Sequence, residues 1–210
     1  MESAFWHQVW SQGHIGFHKY EVNPFLKKHI QKLQLNKNDR IFIPLCGKTN
    51  DISWLLEEGY RVVGVELSEL AVNQLFSELN ITPTVTSTPN HLHFSEQNID
   101  IFVGDIFDLS SDYLGEVNAI YDRAALVALP LHMRKKYTSH LVKITKHAPQ
   151  LLITYEYDSS KEEGPPFSIK QEELIIHYDS QYHLTSIASE EVVGGLIGII
   201  ESTTRAWLIA

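Results

Sequence analysis

Short apolar runs that resemble strands alternate with helical patterns along most of the chain, and this alternation constrains the fold more than any other feature. In the helical patterns, apolar residues recur at spacings of three and four, as in Val72, Leu75, Phe76 and Leu79. Strands separated by helices are typical of a parallel sheet covered on both faces. The sequence therefore predicts an α/β fold, with its clearest strands at residues 40–45, 60–67, 117–121 and 151–157.

The ends of the chain fit the same architecture. Asn23 is a good helix cap and Pro24 suits a first helical position, so a helix is expected to begin there. A hairpin is predicted over residues 91–103, with its turn near Gln97 and Asn98, and two final strands over residues 182–188 and 201–209. We find no internal repeat or shift in composition, so all 210 residues are expected to form one domain.

Charge and composition exclude several functional classes. The chain has 17 Lys and Arg against 26 Asp and Glu, a formal net charge of −9, which argues against nucleic-acid or anionic-membrane partners. The apolar run from Val192 to Ile200 is far shorter than the roughly 18 residues that cross a bilayer. With one cysteine, Cys46, and an acidic start that lacks a signal-peptide pattern, we expect a cytoplasmic protein. We also expect a monomer.

Ligands of open parallel sheets bind beyond the carboxyl ends of the strands, so residues that follow the strands are the candidate site. The first strand leads into a turn at residues 45–49, and the second ends at Glu66. Glu66 follows Leu45 by 66 − 45 = 21 residues, close to the roughly 20 at which an acidic side chain reaches the ribose of an adenosine ligand. Asp105 with Ile106, and Asp122 with Arg123, follow two further strands.

Three cofactor interpretations compete for this layout. Gly47-Lys48-Thr49 superficially resembles a P-loop, but that motif requires a glycine at position 42, which is Phe42. The turn has one glycine where a dinucleotide fingerprint needs three, which disfavours a nicotinamide cofactor without excluding it. S-adenosylmethionine needs the acidic ribose contact and no phosphate cradle, so it fits the pattern.

Several residues also have a structural interpretation. Trp10 lies four residues after Trp6, a spacing typical of core packing, and Arg123 could simply pair with Asp122. Cys46 is expected to fill a crowded turn and not to act as a nucleophile. Arg134-Lys135-Lys136 is expected to be the exposed face of a helix. No metal site is expected, because His91 and His93 lack a third ligand pattern nearby.

Several separate motifs occur in the order found in a known family. They are Phe-Ile-Pro-Leu-Cys-Gly-Lys at 42–48, Val-Val-Gly-Val-Glu-Leu-Ser at 62–68, Tyr-Asp-Arg-Ala-Ala-Leu at 121–126 and Gly-Pro-Pro-Phe at 164–167. With the aromatic opening, Trp6 to Trp10 followed by Gly16-Phe17-His18, they resemble the thiopurine S-methyltransferase family from about residue 5 to about 169.

The resemblance implies a class I methyltransferase: a seven-stranded, mostly parallel sheet with an antiparallel last strand, helices on both faces and an N-terminal segment, residues 1–22, that covers the cofactor. It implies that Trp10 and Phe17 lie in this covering segment, that Leu45 contacts S-adenosylmethionine through its backbone and that Glu66 holds the ribose. By the same resemblance, Asp105 and Ile106 flank the adenine, and Arg123 lies beside the cofactor and faces the substrate. We further expect Arg123 to stabilise an anionic substrate, with Asp122 orienting it.

The implied reaction is methyl transfer from S-adenosylmethionine to the sulfur of a small aromatic or heterocyclic thiol, with no obligatory catalytic acid or base. Some bacterial relatives are associated with selenium or tellurium compounds, so these acceptors stay open. The segment at Glu190-Glu191 is acidic where the family commonly has a basic one, which puts a preference for carboxylated thiols in doubt. A nicotinamide-dependent oxidoreductase and a non-catalytic adenosine-ligand-binding protein remain the alternatives.

Overall fold

One mixed sheet of nine strands organises the computed structural model, which describes residues 3–178, 182–196 and 200–210. The strand order across the sheet is β3-β4-β5-β2-β1-β6-β7-β9-β8. In chain order the strands are β1 (Arg40–Pro44), β2 (Arg61–Glu66), β3 (Thr84–Ser87), β4 (Leu92–Glu96), β5 (Ile99–Val103), β6 (Ala119–Asp122), β7 (Gln150–Tyr157), β8 (Leu184–Glu191) and β9 (Ser202–Ile209).

Helices cover both faces of this sheet. The α-helices are α1 (Ser3–Ser11), α2 (Pro24–His29), α3 (Asp51–Glu57), α4 (Glu69–Glu78), α5 (Ser111–Leu114), α6 (Ala125–Ala128), α7 (Leu131–Thr145) and α8 (Gln171–Tyr178), with 3-10 turns at Ile30–Leu33 and Ile106–Asp108. One core holds Leu126, Leu141 and Leu174 from α6, α7 and α8. The other holds Leu26 and Leu75 from α2 and α4. The predicted α/β architecture is confirmed.

The five central strands, β5-β2-β1-β6-β7, are parallel neighbours, so their carboxyl ends lie at one edge of the sheet. The last strand, β9, pairs antiparallel with both β7 and β8, as predicted. The number of strands differs from the expected seven, because β3 and β4 extend the sheet beyond β5. The predicted hairpin is β4 and β5, paired antiparallel. All four residues of β3 are exposed, so no apolar pattern marks this strand in the sequence.

The first predicted helix begins where its capping residue indicates. The Asn23 side chain accepts a hydrogen bond from the Phe25 amide at 2.9 Å, and Pro24 occupies the first turn. The regular helix ends at His29 and continues as the 3-10 turn Ile30–Leu33. The run from Val192 to Ile200 is expected to be too short to cross a bilayer, and its residues 197–199 lie outside the described residues. Among the described residues, no helix has both the length and the apolar character needed to cross a membrane.

Gly64, in the middle of β2, allows the turn after β1 to pack directly on the sheet. A Cβ atom at this position would lie 2.8 Å from both Cys46 Sγ and Ile101 Cδ1. Both neighbours are buried, so neither has free space to move into. The close approach of the site-forming turn therefore depends on the missing side chain.

We expect Gly64→Ala to lower the free energy of unfolding by about 1–3 kcal/mol, because overpacking displaces buried side chains. Urea denaturation measures the effect, and Ile101→Val in the same background should recover part of it by removing the Cδ1 atom. Gly16→Ala is the control, since no atom lies within 4 Å of a Cβ there. A Gly64→Ala protein as stable as the wild type would contradict this packing argument.

Candidate active site

A cavity of about 420 Å³ opens at the carboxyl ends of β1, β2 and β5. Leu45 follows β1, Glu66 ends β2, and Asp105 and Ile106 follow β5, and all four line the cavity. The opposite walls come from Trp6 of α1 and from the segment that joins α6 to α7. The structure therefore brings Leu45, Glu66 and Ile106, three of the candidate residues, together in one cavity.

Glu66 is the buried carboxylate of this cavity, with only 6% of its surface exposed. Its Oε2 accepts a hydrogen bond from the Gly47 amide at 2.9 Å, and its Oε1 accepts one from the Ser68 amide at 2.9 Å. Burial raises the pKa of Glu66, and these backbone amides oppose the rise. Each carboxylate oxygen keeps a second lone pair, so the group is able to accept hydrogen bonds from ligand hydroxyls.

The turn between β1 and α3 holds its shape through two residues in left-handed conformations, Leu45 at φ 48° and Gly47 at φ 54°. Cys46 lies between them, and burial raises the pKa of its thiol well above the usual range. A protonated, buried thiol is a poor nucleophile, which agrees with the structural role expected for this residue.

Trp10 lies behind this turn and not in the cavity wall. It is 5% exposed, and its Cζ2 would lie 3.1 Å from a Cβ at Gly47. Phe17 contacts both Trp10 and Trp6 edge to face, with ring centroids 5.6 Å and 5.8 Å apart. Trp6, not predicted as a site residue, supplies the aromatic wall of the cavity. The spacing of Trp6 and Trp10 shows in the sequence that both lie on one helical face, but not which one meets the cavity.

Asp105 and Ile106 form the wall next to β5. The Asp105 side chain accepts a hydrogen bond from the Phe107 amide at 2.9 Å, and its backbone carbonyl lies 2.9 Å from His91 Nε2. A Cβ at Gly104 would lie 2.5 Å from the His91 ring, so glycine is needed for this close packing. The side chains of His91 and Asp105 therefore hold the wall in place.

Arg123 follows β6 at the same sheet edge but does not line the cavity. Within residues 3–178, 182–196 and 200–210 its side chain forms no ion pair or hydrogen bond. Asp122 is fully buried and accepts hydrogen bonds from Tyr137 Oη at 2.6 Å and from the Ala125 amide at 3.0 Å. The prediction that Asp122 orients Arg123 is wrong, because the Asp122 carboxylate accepts its hydrogen bonds from α6 and α7.

The site has the chemistry expected for an adenosine ligand without phosphates. It offers a buried carboxylate for hydroxyl groups and an apolar wall at Ile106. The Trp6 Nε1 donor is buried without a hydrogen-bond partner in the described part of the chain, so a ligand acceptor could satisfy it. No group of three His, Cys, Asp or Glu residues in that part is arranged to bind a metal.

Comparison with known proteins decides among the cofactor interpretations. Residues 1–199 match the family described as Thiopurine S-methyltransferase (TPMT). The chain belongs to the thiopurine S-methyltransferase family. It is 50% identical over 210 residues to the thiopurine S-methyltransferase of Xanthobacter autotrophicus, covering 100% of this chain and 99% of that protein. It is 45% identical to the one of Teredinibacter turnerae, covering 100% and 98%.

Solved structures support the same fold. The 1,6-didemethyltoxoflavin-N1-methyltransferase of Burkholderia thailandensis, with bound 1,6-didemethyltoxoflavin and S-adenosylhomocysteine, has a TM-score of 0.67 at 13% identity, covering 99% of this chain and 87% of that one. The N-methyltransferase NodS of Bradyrhizobium japonicum, in complex with S-adenosylhomocysteine, has a TM-score of 0.61 at 11% identity, with 97% of each chain covered. This member of the thiopurine S-methyltransferase family is an S-adenosylmethionine-dependent methyltransferase. The nicotinamide and non-catalytic alternatives are not favoured.

Proposed function

We propose that this protein transfers the methyl group of S-adenosylmethionine to the sulfur of a small aromatic or heterocyclic thiol. The observation that carries the proposal is the similarity of the whole chain to proteins named thiopurine S-methyltransferase, at up to 50% identity among those compared. The cavity beside Glu66 supports it, because it offers the acidic and apolar groups that a methyl donor containing adenosine requires.

In this proposal each predicted residue has a defined role. Glu66 accepts hydrogen bonds from the ribose hydroxyls through its free lone pairs. Asp105 and Ile106 flank the adenine, and the backbone of Leu45 contacts the donor. Trp10 and Phe17 belong to the covering segment, residues 1–22, and Trp10 acts through its contact with the Gly47 turn.

S-adenosylmethionine supplies a methyl carbon bonded to a positively charged sulfur. The acceptor thiolate forms a bond to this carbon while the bond to the donor sulfur breaks, which gives a methyl thioether and S-adenosylhomocysteine. Opposite charges are partly neutralised in the transition state and disappear in the products. A strong general base is unnecessary for an acceptor that is already ionised. The task of the protein is to hold the two reactants in line and to exclude water.

Arg123 is expected to hold the anionic acceptor. Arg123→Ala should lower kcat/KM for an aromatic thiol by about tenfold, the effect of losing one charge-assisted contact, while the free energy of unfolding changes little. Little change in stability is expected because the Arg123 side chain has no hydrogen bond or ion pair to lose among the described residues. Arg61→Ala is the matched control, an exposed arginine at the opposite end of the sheet. Unchanged kinetics would remove Arg123 from the site.

The proposed activity is tested with methyl-labelled S-adenosylmethionine and a panel of acceptors. The panel includes a thiopurine, thiophenol, selenite and tellurite, with S-adenosylhomocysteine release and labelled product measured together. Labelled thioether from the thiopurine or thiophenol is the expected result. Binding of S-adenosylhomocysteine with no transfer to either thiol would contradict thiol methylation.

We also infer that the 210 residues work as one domain and as a cytoplasmic monomer. The single, buried cysteine suits a reducing compartment. Light scattering during size-exclusion chromatography tests the monomer, for which a mass near 24.0 kDa is expected.

A further inference from the structure

Arg134 of α7 is buried, although it lies in the basic run Arg134-Lys135-Lys136. Only 4% of its surface is exposed, so the expectation that this run forms an exposed helix face is wrong for Arg134. Its Nε donates to the Leu129 carbonyl at 2.7 Å. Its Nη1 lies 2.7 Å and 2.8 Å from the two carboxylate oxygens of Glu173 in α8. Its guanidinium carbon lies 5.1 Å from the centre of the Phe167 ring.

The Leu129 carbonyl belongs to a residue in the wall of the methyl-donor cavity. Leu129 and Pro130 connect α6 to α7, and both line the cavity. Pro130 has no backbone N–H, so it cannot anchor the connection as a donor. In the part of the chain that the structure describes, Arg134 supplies the hydrogen bond that holds the Leu129 carbonyl.

The other contacts of Arg134 fix the guanidinium itself. Glu173 binds it from α8, and His177 Nε2 lies 3.3 Å from Glu173 Oε1. Phe167, over which the guanidinium lies, donates its backbone amide to the Val127 carbonyl of α6 at 2.7 Å. The arginine therefore joins α6, α8 and the Phe167 segment at the back of the cavity wall.

We propose that Arg134 is a positioning residue for the donor site, which holds Leu129 and Pro130 at the distance that S-adenosylmethionine binding requires. Arg134 does not line the cavity, so its effect passes through these two residues. The planar guanidinium binds a carbonyl, a carboxylate and an aromatic face at once, a combination that a lysine ammonium does not reproduce. The inference rests on the proposed function, in which this cavity is the donor site.

The test compares Arg134→Lys with Arg40→Lys. Arg40 is a matched arginine far from the cavity, at the start of β1, bonded to Asp100 Oδ2 at 2.8 Å and to the Leu114 carbonyl. Calorimetric titration with S-adenosylhomocysteine should give a Kd about tenfold higher for Arg134→Lys, because the cavity wall loses the guanidinium hydrogen bond that holds the Leu129 carbonyl. The S-adenosylhomocysteine Kd of Arg40→Lys should stay within about twofold of the wild-type value, even where thermal unfolding shows an equal loss of stability for both variants.

Kinetics give a second readout that a general loss of stability would not produce. Arg134→Lys should raise KM for S-adenosylmethionine about tenfold with kcat within about threefold of the wild type, because the reacting atoms are not touched. If Arg134→Lys does not fold, Glu173→Ala replaces it. That variant removes the carboxylate that orients the guanidinium and should raise the S-adenosylhomocysteine Kd about threefold.

The outcomes separate the two proposals. The positioning role would be overturned if the S-adenosylhomocysteine Kd is unchanged in Arg134→Lys, or if it increases equally in Arg40→Lys. Where Glu173→Ala is needed, an unchanged Kd in that variant would overturn it. A wild-type protein that does not bind S-adenosylhomocysteine would instead overturn the proposed function.

Discussion

Glu66→Gln is expected to weaken S-adenosylhomocysteine binding about 100-fold, the loss expected when hydrogen bonds from two ribose hydroxyls no longer reach a carboxylate. In the variant, the Gln side-chain NH2 replaces one carboxylate oxygen, so two donors face each other where that oxygen accepts a hydrogen bond from the Gly47 or the Ser68 amide. The variant should therefore lose stability as well as affinity. Calorimetric titration measures the affinity, and urea denaturation measures the stability.

Asp100→Asn is the control for Glu66→Gln, because it neutralises a partly buried carboxylate bonded to Arg40 and His93 at the other end of β5. It should lower stability and leave the S-adenosylhomocysteine Kd within about twofold of the wild type. If both variants bind equally well, Glu66 is not the ribose contact.

A lower pH should also weaken S-adenosylhomocysteine binding, because it removes an acceptor at Glu66. Protonation of Glu66 replaces an acceptor lone pair with an O–H donor, and burial raises the pKa of this group, so the loss begins at a higher pH than for an exposed glutamate. The S-adenosylhomocysteine Kd of the wild type should rise as the pH falls, and that of Glu66→Gln should change less.

Ionisation of the Asp122 carboxyl group is expected to lower the free energy of unfolding as the pH rises. Burial raises its pKa from 3.8 to about 6. Between these values the folded protein holds a proton that the unfolded chain has released, so the free energy of unfolding falls with increasing pH. The full shift corresponds to roughly 3 kcal/mol, a cost that is complete above about pH 6 and absent below about pH 4.

Asp122→Asn removes this ionisation. Its Oδ1 still accepts from the Ala125 and Leu126 amides, and its amide group faces the Tyr137 hydroxyl, which is able to accept a hydrogen bond. The difference in free energy of unfolding, wild type minus Asp122→Asn, should therefore fall by roughly 2–3 kcal/mol from about pH 4 to about pH 7.5.

Urea denaturation at the two pH values measures this difference, and the exposed Asp112→Asn is the control for a general change in charge. A difference that stays constant with pH, or that increases, would show that Asp122 does not titrate in this range.

Local sequence patterns were sufficient to predict the parallel sheet and the place of Glu66. The strands are short apolar runs, and the 21-residue interval from Leu45 to Glu66 spans helix α3 and strand β2. Strand β3 could not be predicted, since its residues are all exposed and it is an edge strand that pairs with β4.

The parts of the site that were missed depend on contacts between distant residues. Arg134 looks exposed because two lysines follow it in the sequence, but Glu173, which binds it, lies 39 residues further on. Asp122 looked like a partner for Arg123, whereas its buried partner is Tyr137 on α7. Spacing along one helix placed Trp6 and Trp10 together, but only the packing of α1 shows that Trp6 meets the cavity.

A crystal structure of the protein with S-adenosylhomocysteine and thiophenol tests the central claim most directly. We expect the adenine beside Ile106, both ribose hydroxyls within hydrogen-bond distance of Glu66, and the thiophenol sulfur pointing at the donor sulfur from the side of Arg123. S-adenosylhomocysteine bound outside the cavity, or inside it with the ribose away from Glu66, would contradict the claim.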